Sequence, residues 1–118
     1  MTRRDVRTYL HDIKRACDLV AEFVRGKTED EYLRCDLLKS AVERQLQIAG
    51  EALSQALATE PSLEQRITDA RIIVAFRHRL VHGYDQLVDA AVWEIACVHS
   101  PKLGAEAMAL LSEHDRTG

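Results

Sequence analysis

Val6, Leu10, Ile13, Cys17, Val20, Ala21 and Val24 follow one another at three- and four-residue steps, the spacing of a helix with one buried face. This stripe predicts a first helix from about Arg4 to Arg25, closed by Gly26. A second stripe takes in Tyr32, Leu37, Leu38, Ala41, Val42, Ile48, Ala49, Leu53 and Leu57. It predicts one long helix from Thr28 or Glu29 to near Ala58, with Thr28 and Glu31 spaced as a capping box. A helix of that length exceeds the ordinary globular range, so part of it is expected to meet a second subunit. Gly50 lies in its interior, at a cost of roughly 1 kcal/mol against alanine, which a close helix crossing would offset.

Glu60-Pro61-Ser62 ends that helix, and Ser62 with Gln65 offers a second capping box. A third helix is therefore expected from Leu63 to His82, with a break near Thr68-Asp69. After a loop from Gly83 to Val88, Asp89 can cap a fourth, Ala90 to His99, in which Trp93 is expected to anchor the core. Ser100-Pro101 reads as an N-cap followed by proline at the first helical position. A short last helix, Lys102 to Leu111, would then precede a polar tail over 112–118. The expected fold is all-α, an up-and-down bundle of four to five helices forming a single domain over 1–118.

Composition narrows the class. With 118 residues, 47% apolar and 30% charged, and only five glycines and two prolines, the chain suits one soluble helical domain. A net charge of −3 rules out a global basic field, so contact with nucleic acid must come from a local patch, and a single chain should bind RNA weakly. Three well-separated cysteines, Cys17, Cys35 and Cys97, read as reduced thiols, with Cys17 on the apolar stripe of the first helix. No stretch approaches the ~20 apolar residues of a membrane span, and the start is charged, so a cytoplasmic location and no membrane partner are expected.

The densest chemistry lies in Phe76-Arg77-His78-Arg79-Leu80-Val81-His82-Gly83-Tyr84-Asp85. His78 and His82 are four apart and share a helix face. Arg77 and His82 are five apart, about 140° around the axis, and Tyr84 falls just past the helix end. Imidazole exchanges protons near neutrality, and guanidinium grips phosphate with a planar fork. The pair suits metal-free cleavage of RNA, a histidine deprotonating the ribose 2′-hydroxyl while an arginine holds the charge building on the phosphoryl oxygens. On spacing alone, the simpler reading is favoured, that these residues are cations solvating a helix C-terminus. His78 and His82 have the spacing of a helical zinc pair, but the flanking Arg77 and Arg79 disfavour a metal, and none is expected. No cofactor is implied, and no Ser, Cys or Thr beside the histidines offers a nucleophile.

Arg77-His78 followed by His82-Gly83-Tyr84 resembles the motif of the HEPN ribonucleases. The fuller Arg-x4-His-x-Tyr pattern resembles the HepT toxins of HepT/MntA toxin–antitoxin pairs. Upstream, Ala41 to Ala52 is similar to that family's long-helix signature, roughly AVxRxLxxIGEA, and Val88-Asp89 with Val92-Trp93 resembles its VD…W pattern. The likeness runs from about Tyr9 to Trp93. One departure is that no Trp follows Pro61-Ser62 in the segment from Leu63 to Val74, where many members carry a Pro-Trp pair.

The resemblance implies an endoribonuclease toxin of type VII-like pairs, with His82 as base, Arg77 on the scissile phosphate and His78 as a polar helper, leaving 2′,3′-cyclic phosphate ends. It implies that a cognate MntA-like nucleotidyltransferase antitoxin transfers AMP to Tyr84, placing a phosphate against the site's cations. It also implies a homodimer that faces two Arg77–His82 sets across a shared groove. Glu51 and Asp36 are candidates for carboxylates that orient Arg77 or His82. Two other readings of the same residues stay open: a non-catalytic nucleotide or RNA binder, and a dimeric adaptor that recruits a nucleotidyltransferase.

Overall fold

The first helix, α1 (Val6–Val24), begins where Asp5 turns its carboxylate onto the backbone N–H of Arg7 at 2.9 Å. It ends before Gly26, whose φ of +72° is the left-handed conformation that glycine adopts without strain. Val6, Leu10, Ile13, Cys17 and Val20 are buried as expected. Ala16 joins them, whereas Ala21 faces solvent. This is a computed structural model, and it describes residues 5–81 and 89–117.

The single long helix expected next is two. α2 (Glu29–Leu33) opens with the capping box: Thr28 Oγ1 accepts from the Glu31 N–H at 3.1 Å, and Glu31 Oε1 accepts from the Thr28 N–H at 2.9 Å. The chain then turns extended at Cys35, whose Sγ accepts from the Leu38 N–H at 3.4 Å and starts α3 (Asp36–Thr59). The break lets Tyr32 bury its ring completely, tilted against Trp93 at a centroid distance of 5.2 Å. Trp93 itself is half-buried at the edge of the core. Leu37, counted on the apolar stripe, is 80% exposed, because the restart at Cys35 rotates it outward.

The third helix is also shorter than expected. Pro61–Gln65 form a 3₁₀ turn with no side-chain cap, so the Ser62/Gln65 capping box does not form. Leu63 and Ile67 tuck into the core, and α4 (Ala70–Val81) follows. This connection is tied to the far end of the chain. The Thr68 N–H and hydroxyl both donate to Glu106 (3.1 and 2.7 Å), Asp69 meets His99 and Lys102, and Arg66 pairs with Glu113.

The last part of the chain is one rod. α5 (Asp89–Glu94) passes through a π-helical turn (Ile95–His99) straight into α6 (Ser100–Thr117). Ser100 is helical and buried, so it caps nothing, and the region expected to be a polar tail continues the helix to Thr117. Proline inside a helix normally collides with the carbonyl four residues back. Here the wider π turn, in which the Ser100 N–H bonds to the Ile95 carbonyl, precedes Pro101 and makes room for its ring. α1 packs between α3 and α6, and α4 lies on the other side of α3. The described residues thus form an all-α bundle, and none of their helices is long and apolar enough to cross a membrane.

Candidate functional site

Arg77 is positioned by a helix crossing. α3 and α4 approach most closely at Gly50, where the backbone has no Cβ and the space is filled by the Arg77 side chain: a Cβ built on Gly50 would collide with Arg77 Cβ and lie 2.8 Å from its Cγ. The crossing expected from a glycine in this helix is therefore real, and it brings Arg77 beside the next residue, Glu51. The two form an ion pair through Arg77 Nη2 and Glu51 Oε2. Arg77 Nε is buried and has no hydrogen-bond partner among the described residues. The guanidinium is thus held on one edge by a carboxylate, with further N–H groups not committed to that pair.

The pair borders an open cleft of about 580 Å³ between α1 and α3. Tyr9 and Asp12 line it from α1, Arg77 closes one side, and Arg44, Gln47, Glu51 and Gln55 present a polar stripe from α3. Arg44 makes a long 3.5 Å contact with Gln47, and Gln55 donates to Glu51 at 3.3 Å. None of Tyr9, Asp12, Gln47 or Gln55 stands out as a site residue in the sequence. The available signal was the helical register of Arg44, Glu51 and Gln55, seven and four residues apart on one face.

His78 and Arg79 follow Arg77 on α4 and are both exposed, while Arg77 turns to α3. His82 and Tyr84, the expected base and the expected AMP acceptor, lie outside the described residues, as does the loop from Gly83 to Val88. The structure does not bring Asp36 to Arg77 within one chain. It stands fully exposed at the start of α3, 3.5 Å from Lys39, and fifteen residues before Glu51, about 22 Å along the helix at ~1.5 Å per residue. Lys39 also bonds Asp89 at 3.3 Å, tying α3 to α5. That end of the bundle is acidic: partial burial and the nearby Asp89 raise the Glu43 carboxyl, and burial, with Glu43 and Asp89 close by, pushes the Tyr32 phenol far up. Among the described residues, no three His, Cys, Asp or Glu side chains come together in a way that could hold a metal ion.

A family model described as "Ribonuclease HepT-like" matches residues 13–110, a span that includes α3, α4 and the whole Arg77–Tyr84 stretch. The chain belongs to the HepT-like ribonuclease family. Relatives of this HepT-like chain point the same way. It is 29% identical over 97% of its length to a Methanocaldococcus jannaschii protein named "gamma-glutamylcyclotransferase and putative RNase", of which it spans about half (51%). It is 28% identical over 90% of its length to a second protein of that organism named "putative RNase", covering 96% of it. A "putative RNase" of Caldanaerobacter subterraneus subsp. tengcongensis is 26% identical over 91% of this chain and 95% of its own. No solved structure matches. The family and these names support a ribonuclease activity for the chain.

Proposed function

We propose that this HepT-like chain is a metal-independent endoribonuclease acting as the toxin of a toxin–antitoxin pair. The observation that carries the reading is the Gly50 crossing, which fixes Arg77 against Glu51 at the edge of an open cleft, five residues before His82 in the sequence. In the proposed step, His82 takes the proton of a ribose 2′-hydroxyl. That oxygen attacks the adjacent phosphorus, and the bond to the 5′-oxygen breaks as this leaving group gains a proton. The products are a 2′,3′-cyclic phosphate and a 5′-hydroxyl. Arg77 holds the phosphoryl oxygens as their charge rises, Glu51 fixes the guanidinium, and His78 assists from the same helix. A fixed fork with a bound edge fits phosphate better than a free lysine would.

Tyr84 is the proposed point of control, AMP being transferred to its hydroxyl by a nucleotidyltransferase antitoxin. The added phosphate would compete with RNA for Arg77. A two-fold dimer belongs to the same reading. Exposed Leu37 on α3 supports association with a second copy: it helps line a groove of about 640 Å³ with Phe23, Leu38 and Ala41, rimmed by Lys27, Glu31 and Arg34.

The test is incubation of total RNA with the purified protein in EDTA, beside H82A. Cleavage by the wild type alone, with cyclic phosphate ends, supports the reading. RNA binding without cleavage by unmodified protein replaces it with the non-catalytic binder.

A further inference from the structure

We propose that the cleft beside Arg77 is a second phosphate subsite, in which Arg44 holds the RNA phosphate neighbouring the one that Arg77 grips. This rests on the ribonuclease reading above and extends it to how the substrate is seated. Arg44 and Glu51 are seven residues apart on α3, two turns on one face, or about 10 Å along the axis at ~1.5 Å per residue. Because Glu51 binds Arg77, the two guanidinium groups border the same cleft, Arg44 on its α3 wall and Arg77 closing one side.

Their surroundings differ in a telling way. Arg77 is half-buried and fixed by its carboxylate, as a residue at the reacting phosphate needs to be. Arg44 is exposed and makes no ion pair among the described residues. Its hydrogen-bond partner there is the neutral amide of Gln47 at 3.5 Å. Most other arginines of the bundle are neutralised: Arg7 by Asp5, Arg34 by Asp30, Arg66 by Glu113 and Arg71 by Glu64. Arg15, Arg25 and Arg79 form no ion pair among the described residues either, but none of the three lines the cleft. An unneutralised guanidinium on a concave wall attracts an anion.

The rest of the cleft suits what lies between two phosphates. Gln47 and Gln55 present amides, and Tyr9 and Asp12 face them from α1. The two amides offer both donors and acceptors to ribose hydroxyls and base edges, and Tyr9 adds an aromatic ring to the lining. A volume of about 580 Å³ falls within the usual range for a small-ligand site. The ligand class is therefore single-stranded RNA, held by adjacent phosphates.

The experiment measures binding of a short mixed-sequence 2′-O-methyl oligoribonucleotide, which lacks the attacking hydroxyl, by the full chain at several salt concentrations. R44Q should weaken binding about 10-fold and lower the salt dependence by about 0.7 in log–log slope, the share of one phosphate contact on a single strand. R44K should keep most of both, and R25Q, away from the cleft, should match the wild type. Because Arg44 is exposed, the unfolding midpoint of R44Q should equal that of the wild type, which separates lost contact from lost fold. Equal binding by R44Q and wild type overturns the subsite alone, and so does an equal loss in R25Q. Absence of binding by the wild type overturns the subsite together with the ribonuclease reading. Arg44-dependent binding in a protein that fails to cleave RNA upholds the subsite while the ribonuclease reading falls.

Discussion

Gly50 and Arg77 share one point of the α3–α4 crossing, the glycine supplying the space that the arginine side chain fills. Alanine at Gly50 would gain roughly 1 kcal/mol of helix propensity. It would also drive a methyl group into Arg77 Cβ and Cγ and to 3.5 Å from the Ile73 carbonyl, atoms too near the backbone to swing aside. Overpacking of this kind costs about 1–3 kcal/mol and should prevail. G50A is expected to lower stability by up to about 2 kcal/mol in urea unfolding and to reduce RNA cleavage by moving Arg77. A more stable G50A with full activity would refute the packing argument.

Glu51 tests position rather than stability. The Glu51–Arg77 pair is partly exposed, at 47% and 28% of the side chains, so its loss should cost below about 1 kcal/mol. E51Q keeps the shape and removes the charge that holds the guanidinium. Steady-state cleavage should show kcat down about 10-fold with the unfolding midpoint nearly unchanged. An unchanged kcat would mean that Arg77 does not need its anchor.

Tyr32 carries a buried hydroxyl with no hydrogen-bond partner among the described residues, although its ring is fully buried against Trp93. Leaving such a group unsatisfied is costly, and removing it is not. Y32F should therefore be neutral, or more stable by up to about 1 kcal/mol, in chemical denaturation. A loss of more than that would reveal a partner for the hydroxyl.

The Asp69 latch predicts an acid limb of stability. His99 Nδ1 lies 2.6 Å from its carboxylate, and Lys102 Nζ lies 3.3 Å away. The hydrogen bond to His99 first, then Lys102, holds the Asp69 carboxyl below its ordinary value of 3.8. A carboxyl depressed in the folded state contributes stability that is present above the unfolded value and lost as pH falls through the folded one. The gap in unfolding midpoint between wild type and D69N should narrow as pH falls below 3.8. A gap that widens in acid would reverse the assignment.

Much of the fold is legible where local and tertiary signals agree. The stripe through Leu10, Ile13 and Val20, the Thr28–Glu31 box, the stop at Gly26 and the crossing at Gly50 all need only a few neighbouring residues to be understood. Cys35 is different. A thiol is a weak acceptor and an uncommon cap, and what makes it one is the burial of Tyr32 against Trp93, sixty-one positions further along the chain. Ser100-Pro101 misleads for a similar reason. It has the composition of a helix start, and only the π turn ahead of it, packed against α1, allows the rod to continue. Within the site, Arg77 and Glu51 are readable from their motif and register. The facing wall of Tyr9 and Asp12 depends on how α1 lies against α3, which no local pattern encodes.

In the proposed reaction Arg77, fixed by Glu51 across the Gly50 crossing, binds the phosphate that is cut. Single-turnover cleavage of a defined RNA in EDTA by wild type, R77K and R77A tests it most directly. The wild type should leave 2′,3′-cyclic phosphate ends, and R77A should lose about 10²–10³-fold, with R77K restoring only part because a lysine lacks the fork. Cleavage by R77A at the wild-type rate would contradict this role for Arg77.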